Sequence, residues 1–199
     1  KMNSAIVVTG SFGFIGSALC VELSDNYKVY GIDQRPPSEQ LRKLAPKVRW
    51  MDVEISNEKK IKRASDRIES DCSSIDYIIH LAAYYHYGAD WREGYDDTNI
   101  QGTQNLIDAF CGKKLKRFIF ASSIASLPPP QEGAVLTEYS VPKSDIPYCK
   151  SKAVGEWLLS DITHRMPVIV LRLGGVFSDW CELPPLNSVI NLWSKKGPL

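Results

Sequence analysis

The chain has 199 residues, of which 44% are hydrophobic and 24% are charged, and its formal net charge is +1. This is the composition of an ordinary globular domain, and so small a net charge argues against nucleic acids and membrane surfaces as partners. No apolar run approaches the roughly 18 residues of a membrane span, and no apolar leader with a cleavage site precedes the first strand. We therefore expect a cytoplasmic protein.

Short apolar segments alternate with segments of helical spacing as far as Leu173. In chain order, strands are predicted at Ala5–Val8, Lys28–Ile32, Val48–Val53, Tyr77–Leu81, Arg117–Ala121 and Val168–Leu173. Helices are predicted between them at Phe14–Leu23, Lys59–Ile68, Thr98–Phe110 and Tyr148–His164. Apolar strands that alternate with helices are typical of a parallel sheet covered on both faces. With right-handed crossovers, the fold class is α/β, a doubly wound parallel sheet of the Rossmann type.

Five cysteines are spread along the sequence, at positions 20, 72, 111, 149 and 181. They form no C-x-x-C pair, and their number is odd. We therefore expect neither a disulfide framework nor a metal site, and the pattern is typical of a reducing compartment.

The strongest local pattern is the segment Thr9–Gly16, which joins the first strand to the first helix. Gly10 permits a tight turn, Gly13 lets the backbone approach a pyrophosphate, and Gly16 lets the helix pack against the sheet. The helix N-terminus adds free N–H groups and the positive end of a dipole. A strand before the turn and a helix after it are the context of a dinucleotide site, which we prefer to a merely structural turn.

The second strand is followed by an acidic residue, Asp33, 17 residues after Gly16. A carboxylate near this offset accepts hydrogen bonds from the hydroxyls of the adenosine ribose and repels a 2′-phosphate, which favours NAD over NADP. Arg35 follows closely and could accommodate a phosphate, and Asp33 could also be a turn residue before Pro36. The preference for NAD therefore stays open at this point.

Several motifs in one order make the sequence similar to the extended short-chain dehydrogenase/reductase family, in its NAD-dependent sugar epimerase/dehydratase branch. The motifs are Thr9–Gly16, Asp33, Met51–Val53, His80–Ala83, Asn99–Thr103, Phe118–Ser123, Tyr148 with Lys152, and Leu171–Leu173. The resemblance implies NAD as the cofactor and a small-molecule substrate, a sugar nucleotide. It also implies a homodimer.

The resemblance assigns cofactor contacts to individual residues. They are Gly10, Phe12, Gly13, Phe14, Ile15, Gly16, Asp33, Asp52, Val53, Leu81, Ala82, Ala83, Asn99, Tyr148 and Lys152. Asp52 and Val53 would contact the adenine, and Leu81–Ala83 would line the passage of the cofactor across the strand ends. Asn99 would hold strand and helix backbones together nearby. Asp52 could instead be a solvated carboxylate at a strand end, Ala82 and Ala83 could be close-packing residues, and Asn99 could be a polar group at a helix N-terminus.

Three residues form the predicted catalytic set. Tyr148 and Lys152 are four residues apart, so in a helix they project from one face, and Pro147 suits the first helical position. Ser123 follows the fifth strand, at the edge where open α/β sheets bind ligands. We predict that Tyr148 exchanges the proton of the substrate hydroxyl while a hydride moves, and that Ser123 holds the substrate oxygen. Ser122 is the less favoured alternative for that hydroxyl.

Lys152 is predicted to bind the nicotinamide ribose and to lower the pKa of the tyrosine, which is ordinarily about 10. A pKa near 8 corresponds to stabilising the phenolate by roughly 2.7 kcal/mol. A cation about 4 Å away supplies about 4 kcal/mol at an effective dielectric constant of about 20. Lys152, helped by the positive charge of the nicotinamide, is therefore expected to suffice.

Differences from the motifs of the family restrict which reaction the chain is expected to catalyse. Dehydratases of this branch carry an Asp-Glu pair directly after the catalytic hydroxyl, where this sequence has Ile124 and Ala125, so we do not expect dehydration. The asparagine that often follows the Leu-Arg pair in epimerases is absent from Arg172–Gly175, and Arg172 could pair with a phosphate or an internal carboxylate. We interpret the chain as an NAD-dependent nucleotide-sugar epimerase. The alternatives are a simple alcohol/ketone dehydrogenase and a non-catalytic dinucleotide-binding module.

A change in composition after Leu173 marks the predicted domain boundary. Residues 1–177 are expected to form the NAD-binding Rossmann domain, and residues 178–199 to begin a truncated substrate-binding lobe. This tail contains Trp180 and Trp193 with too little chain to cover them. We therefore expect a fragment of a protein of roughly 300 residues, the length implied by the resemblance.

Overall fold

The computed structural model describes residues 4–86 and 88–176, and the strands within these ranges form one parallel sheet. The strands are β1 (Ser4–Thr9), β2 (Lys28–Asp33), β3 (Arg49–Asp52), β4 (Ser74–His80), β5 (Arg117–Ser123) and β6 (Val168–Leu173). The helices are α1 (Phe14–Leu23), α2 (Glu39–Leu44), α3 (Glu58–Asp71), α4 (Gly102–Phe110) and α5 (Pro147–Ser160). A π-helical segment, Tyr95–Gln101, leads directly into α4, and a 3-10 turn, Ile124–Ser126, follows β5.

The central strands are buried on both faces, which explains why they are continuously apolar, whereas the edge strands β3 and β6 are partly exposed. In β1, Ala5 and Val7 belong to the core beneath α3, α4 and α5, whereas Ile6 and Val8 belong to the core beneath α1. Successive side chains of a strand point to opposite faces, so one apolar run serves both cores. The predicted doubly wound α/β fold is confirmed.

The strand order β3-β2-β1-β4-β5-β6 places a topological switch point between β1 and β4. From β1 the chain winds outward through β2 to β3, and then returns to the other side through β4. The carboxyl ends of all these strands lie at one edge of the sheet, and a crevice opens there at the switch point. The glycine turn, which follows β1, therefore lies at this crevice.

Helix α2 is absent from the sequence-based prediction. It has only six residues, too few to show apolar periodicity, and it follows Pro37. Its local signal is a capping residue, since the Ser38 hydroxyl accepts a hydrogen bond from the Leu41 N–H at 3.1 Å. Short capped helices of this kind escape a search for apolar spacing.

Strand β4 begins at Ser74, earlier than predicted, because a charged residue lies inside it. The Asp76 carboxylate is neutralised by Lys116 Nζ at 2.6 Å and accepts a hydrogen bond from Ser74 Oγ at 3.1 Å. Helix α5 ends at Ser160, short of the predicted His164. The start of β4 lies at the edge of the sheet opposite the crevice, and the end of α5 lies far along the helix from Tyr148. Neither difference from the prediction affects the site.

The predicted beginning of a second lobe, residues 178–199, lies outside the described residues. Within the ranges 4–86 and 88–176, no helix is both long and apolar enough to cross a bilayer. The predicted domain boundary and the homodimer stay predictions.

Candidate cofactor and active site

The glycine turn is packed so closely that two of its positions exclude a side chain. Gly10 has φ +67°, and a Cβ atom placed on it would lie 2.6 Å from the Ala82 backbone nitrogen. A Cβ atom on Gly16 would lie 2.1 Å from the Gly10 carbonyl oxygen. The turn is closed by the Gly13 N–H, which donates to the Gly10 carbonyl at 3.0 Å. The turn thus packs directly on the backbone that follows β4, and the start of α1 packs directly on the turn.

The acidic residue after β2 is connected directly to this turn. The Phe12 N–H donates to Asp33 Oδ2 at 3.1 Å, and the Phe12 ring packs on Trp50 at 5.3 Å between centroids. Asp33 lines a cavity together with other predicted cofactor residues: Gly10, Gly13, Val53, Leu81, Ala82 and Ala83. Arg35, which could accommodate the 2′-phosphate of NADP, lines the same cavity. Asp52 lies opposite Asp33 in the β2–β3 register and is exposed.

The predicted catalytic residues lie in a groove that continues from the glycine turn. Ser123, Tyr148 and Lys152 line this groove, and so do Phe14, Ile15 and Gly16 from the start of α1. Ser123 is the last residue of β5, and the other two lie on one face of α5. The fold therefore brings the three side chains to one groove beside the glycine turn, although they come from two separate elements.

Tyr148 and Lys152 are both packed against aromatic rings. The Tyr148 ring lies edge-to-face against Tyr85, with centroids 4.7 Å apart. Lys152 is only 3% exposed, and its ammonium lies 4.6 Å from the centroid of the Phe120 ring. Lys152 is thus largely removed from solvent, whereas Tyr148 is partly exposed to the groove.

The protonation of these two residues differs from the sequence-based expectation. Burial, and then the neighbouring Cys149 and Tyr95, raise the pKa of Tyr148 to about 12. Burial lowers the pKa of Lys152 to about 8, although the negative charge of Glu156 opposes this effect. The expectation of a tyrosine pKa near 8 counted the attraction of a cation and omitted desolvation, which disfavours each charged form. The protein by itself therefore favours a neutral Tyr148.

A buried hydrogen-bond chain runs from the end of β1 to the π-helical segment. The Thr103 hydroxyl donates to the Asn99 carbonyl at 2.6 Å, so it accepts from His80 Nε2–H at 2.9 Å. His80 Nδ1 is then an acceptor, and it receives the Thr9 hydroxyl proton at 2.7 Å. Burial, and then the charge of Lys152, lower the pKa of His80 to about 3, so the ring is neutral. Sequence reasoning named His80 only as part of a motif; its signal is a polar residue that closes an apolar strand.

Asn99 extends this chain to the helix of the predicted catalytic pair. Its side-chain amide donates to the Tyr84 carbonyl at 3.0 Å and to Ser151 Oγ at 2.8 Å, while its oxygen accepts from the Tyr84 N–H at 2.6 Å. Ser151 Oγ donates in turn to the Tyr148 carbonyl at 2.7 Å. Asn99 thus holds the segment after β4 and the first turn of α5 at once.

The structure also shows the partners of Arg172 in β6 and of Ser122 at the end of β5. Arg172 pairs with an internal carboxylate, Glu156, with Nη2 and Oε2 2.8 Å apart. The Ser122 hydroxyl donates to the same carboxylate and is 4% exposed. Since Ser122 is occupied in this way, Ser123 is the hydroxyl of this strand end that stays the catalytic prediction.

Comparisons with known proteins identify the family of this chain. The sequence profile of the NAD-dependent epimerase/dehydratase family matches residues 6–196. YtcB of Bacillus subtilis, an uncharacterized UDP-glucose epimerase, is 31% identical over 186 residues, a match that covers 86% of this chain and 56% of that protein. An NAD-dependent glucose-6-phosphate dehydrogenase of Haloferax volcanii is 26% identical over 192 residues, covering 88% and 70%.

Solved structures give the same result. The UDP-glucuronic acid 4-epimerase of Bacillus cereus, in complex with UDP-glucuronic acid and NAD, is 28% identical to this chain. It superposes with a TM-score of 0.68, covering 84% of this chain and 55% of that one. The chain therefore spans about half the length of the epimerases that it matches.

Proposed function

Because this chain belongs to the NAD-dependent epimerase/dehydratase family, whose cofactor is NAD, we propose that it carries the cofactor site and the catalytic groups of a nucleotide-sugar epimerase. The supporting observation is the single groove in which the glycine turn meets Ser123, Tyr148 and Lys152. In this reaction a ring carbon of the sugar loses a hydride, and the resulting ketone receives it back on its other face. NAD, when bound, supplies the hydride acceptor and donor.

The residues at the turn fit a dinucleotide. Gly10 and Gly16 let the turn pack backbone against backbone, and the free N–H groups at the beginning of α1 would bind the pyrophosphate. Asp33 would hold the adenosine ribose, and Lys152 the nicotinamide ribose. The Phe12 N–H fixes one oxygen of the Asp33 carboxylate, so the other oxygen is oriented without help from a ligand.

Within the groove, the three predicted catalytic residues have separate tasks. Tyr148 accepts the proton of the sugar hydroxyl as the carbon is oxidised and returns it when the ketone is reduced. Lys152 lies one helical turn further and stabilises the phenolate. Ser123 hydrogen-bonds the same substrate oxygen and holds it for the transfer. Because burial disfavours both charged forms, the phenolate and the ammonium stabilise each other only as a pair.

The preference for NAD is tested with the variant Asp33→Asn, which keeps an oxygen for the Phe12 N–H but removes the charge. We expect the ratio of NADP to NAD dissociation constants, measured by calorimetric titration, to fall about tenfold, because a carboxylate no longer repels the 2′-phosphate. Asp25→Ala, at an exposed position of the opposite edge, is the control and should leave the ratio unchanged. A ratio in the unmodified protein at or below one would contradict the assignment.

The reaction itself is tested with the intact protein, NAD, and either UDP-glucose or UDP-glucuronic acid. An epimerase converts the sugar to its epimer without net accumulation of NADH, and both products are followed by chromatography and absorbance. No 4,6-dehydrated product is expected, since Ile124 and Ala125 provide no acid or base after Ser123.

Stoichiometric accumulation of NADH would favour the second candidate, a dehydrogenase. The similarity to the NAD-dependent glucose-6-phosphate dehydrogenase of Haloferax volcanii supports this candidate. Tight binding of NAD without conversion of any sugar would instead indicate a dinucleotide-binding module.

A further inference from the structure

The carboxylate of Glu156 is a buried charge to which the proposed reaction gives no task. Glu156 lies on α5 one helical turn beyond Lys152 and two turns beyond Tyr148, so the three residues share one helix face. It is only 6% exposed. A charge in this environment is costly unless donors surround it.

The donors to Glu156 come from both sides of Ser123. The Ser122 hydroxyl donates to Oε1, and so does the Ser126 hydroxyl, at 3.0 Å. Both serines are buried, Ser126 completely. One carboxylate oxygen of α5 therefore binds the residue before Ser123 and the residue three positions after it.

The other carboxylate oxygen is held by the neighbouring strand. Arg172 donates to Oε2 through Nη2 at 2.8 Å and through Nε at 3.1 Å. Arg172 pairs with Ser122 in the register of β5 and β6, and its Nη1 also donates to the Glu138 carbonyl at 3.3 Å. The acceptor sites of this α5 carboxylate are thus shared among the end of β5, the 3-10 turn that follows it and β6.

Close packing and hydrogen bonds together position α5 on the sheet. The backbone of Gly155 lies so near Phe120 that an added Cβ atom would be 2.6 Å from its ring. This contact sets how near the helix approaches β5. Sliding along the strand is opposed by directional bonds, and the Glu156 carboxylate accepts five of them near the reacting groups, two from serines and three from Arg172.

We propose that Glu156 is a positioning residue, which holds Ser123 in register with the Tyr148–Lys152 face of α5. The inference rests on the proposed function and deepens it. A displacement of about 1 Å between catalytic groups can cost about 10²-fold in rate. Buried ion pairs often contribute little to stability in comparison with apolar packing, whereas they can specify geometry.

The test compares two ways of removing the link in the intact protein, with NAD and UDP-glucose or UDP-glucuronic acid as the probes. Glu156→Ala removes the carboxylate, and we expect kcat to fall about 10²-fold while the dissociation constant of NAD stays nearly unchanged. The double variant Ser122→Ala with Ser126→Ala keeps the Glu156–Arg172 ion pair and removes only two hydroxyls. This double variant tests the proposal if Glu156→Ala does not fold, and we expect it to lower kcat about tenfold.

A buried carboxylate at the opposite edge of the sheet provides the matched control. Asp76 is 8% exposed, is paired with Lys116 and accepts a serine hydroxyl, as Glu156 does with Arg172 and its serines. Asp76→Asn should lower the melting temperature without lowering kcat of the folded protein. A loss of kcat at Glu156 no greater than that at Asp76 would overturn the proposal.

A double-mutant cycle separates positioning from general structural support. Because Glu156 is proposed to act through Ser123, Glu156→Ala should cost less than about twofold in kcat when Ser123 is already alanine. An equal loss in both backgrounds would overturn the proposal.

Failure of the proposed function gives a different result. If the unmodified protein binds NAD but converts neither sugar nucleotide, the epimerase assignment fails. The positioning role is then decided by crystal structures of the NAD complexes. A displaced Ser123 in the double serine variant supports it, and an unmoved Ser123 overturns it.

Discussion

Replacing Tyr148 by phenylalanine is expected to lower kcat of the intact enzyme by about 10²- to 10⁴-fold, the usual contribution of a general acid–base group. The change removes only the phenolic oxygen and keeps the ring that packs edge-to-face on Tyr85. The affinity for NAD should be nearly unchanged, because the cofactor is held mainly by the glycine turn, Asp33 and Lys152. Steady-state kinetics and calorimetric titration of NAD measure the two quantities.

Tyr139→Phe is the matched control, since this tyrosine is 94% exposed on the loop before α5. It should leave both quantities unchanged. Normal turnover by Tyr148→Phe across the pH range would show that Tyr148 is not the proton-transfer group, and that its spacing from Lys152 reflects only a shared helix face.

Replacing Lys152 by methionine is expected to impair the enzyme and to stabilise the fold. The variant loses the ammonium that stabilises the phenolate and binds the nicotinamide ribose. We therefore expect kcat to fall about 10²-fold or more, and the dissociation constant of NAD to rise about tenfold or more, as for a lost hydrogen bond from a charged group. The similar size of methionine keeps the contact with the Phe120 ring.

The gain in stability follows from the pKa of Lys152, which burial lowers from 10.5 to about 8. Between these pH values the unfolded chain binds more protons than the folded one, so the cost of burying the charge is fully present below pH 8 and is relieved as the pH rises. At neutral pH this cost is of the order of 3 kcal/mol. Lys152→Met should raise the free energy of unfolding by up to that amount at neutral pH, and progressively less above pH 8.

Denaturant unfolding of the NAD-free protein at neutral and at alkaline pH measures this gain. Lys150→Met is the control on the same helix, because Lys150 is exposed and its ammonium lies 5.6 Å from the centroid of the Trp91 ring. It should show no such pH-dependent gain. Destabilisation by Lys152→Met at neutral pH would show that the buried ammonium contributes more by its contacts than it costs by desolvation.

Much of the fold follows from local patterns. The strands are predicted from short apolar runs, and in the central strands these runs are buried on both faces, as Ala5 with Val7 and Ile6 with Val8 illustrate in β1. The glycine turn is equally local, since the left-handed backbone of Gly10 and the close contact at Gly16 arise within a few residues of one another. Helix α2 escaped because a helix of six residues has no periodicity to detect.

The arrangement of the site is less local. The motif spacing predicts that Ser123, Tyr148 and Lys152 act together, and the fold brings them to one groove. Their protonation was not predictable, because burial depends on rings such as Phe120 and Tyr85 that approach from other elements. Desolvation raises the pKa of Tyr148, where an argument from the neighbouring lysine alone lowered it.

The partners of charged and polar side chains were likewise not predictable from the sequence. From the sequence, Arg172 could have met a phosphate or a carboxylate, and Ser122 was as near to the strand end as Ser123. The sheet register brings Arg172 beside Ser122, and α5 then places Glu156 over both. Amino-acid order thus determines the strands, the helices and the glycine turn, because these depend on neighbouring residues. Tertiary structure alone decides protonation and pairing, because a hydrogen bond or a desolvated charge depends on atoms that only the folded chain brings together.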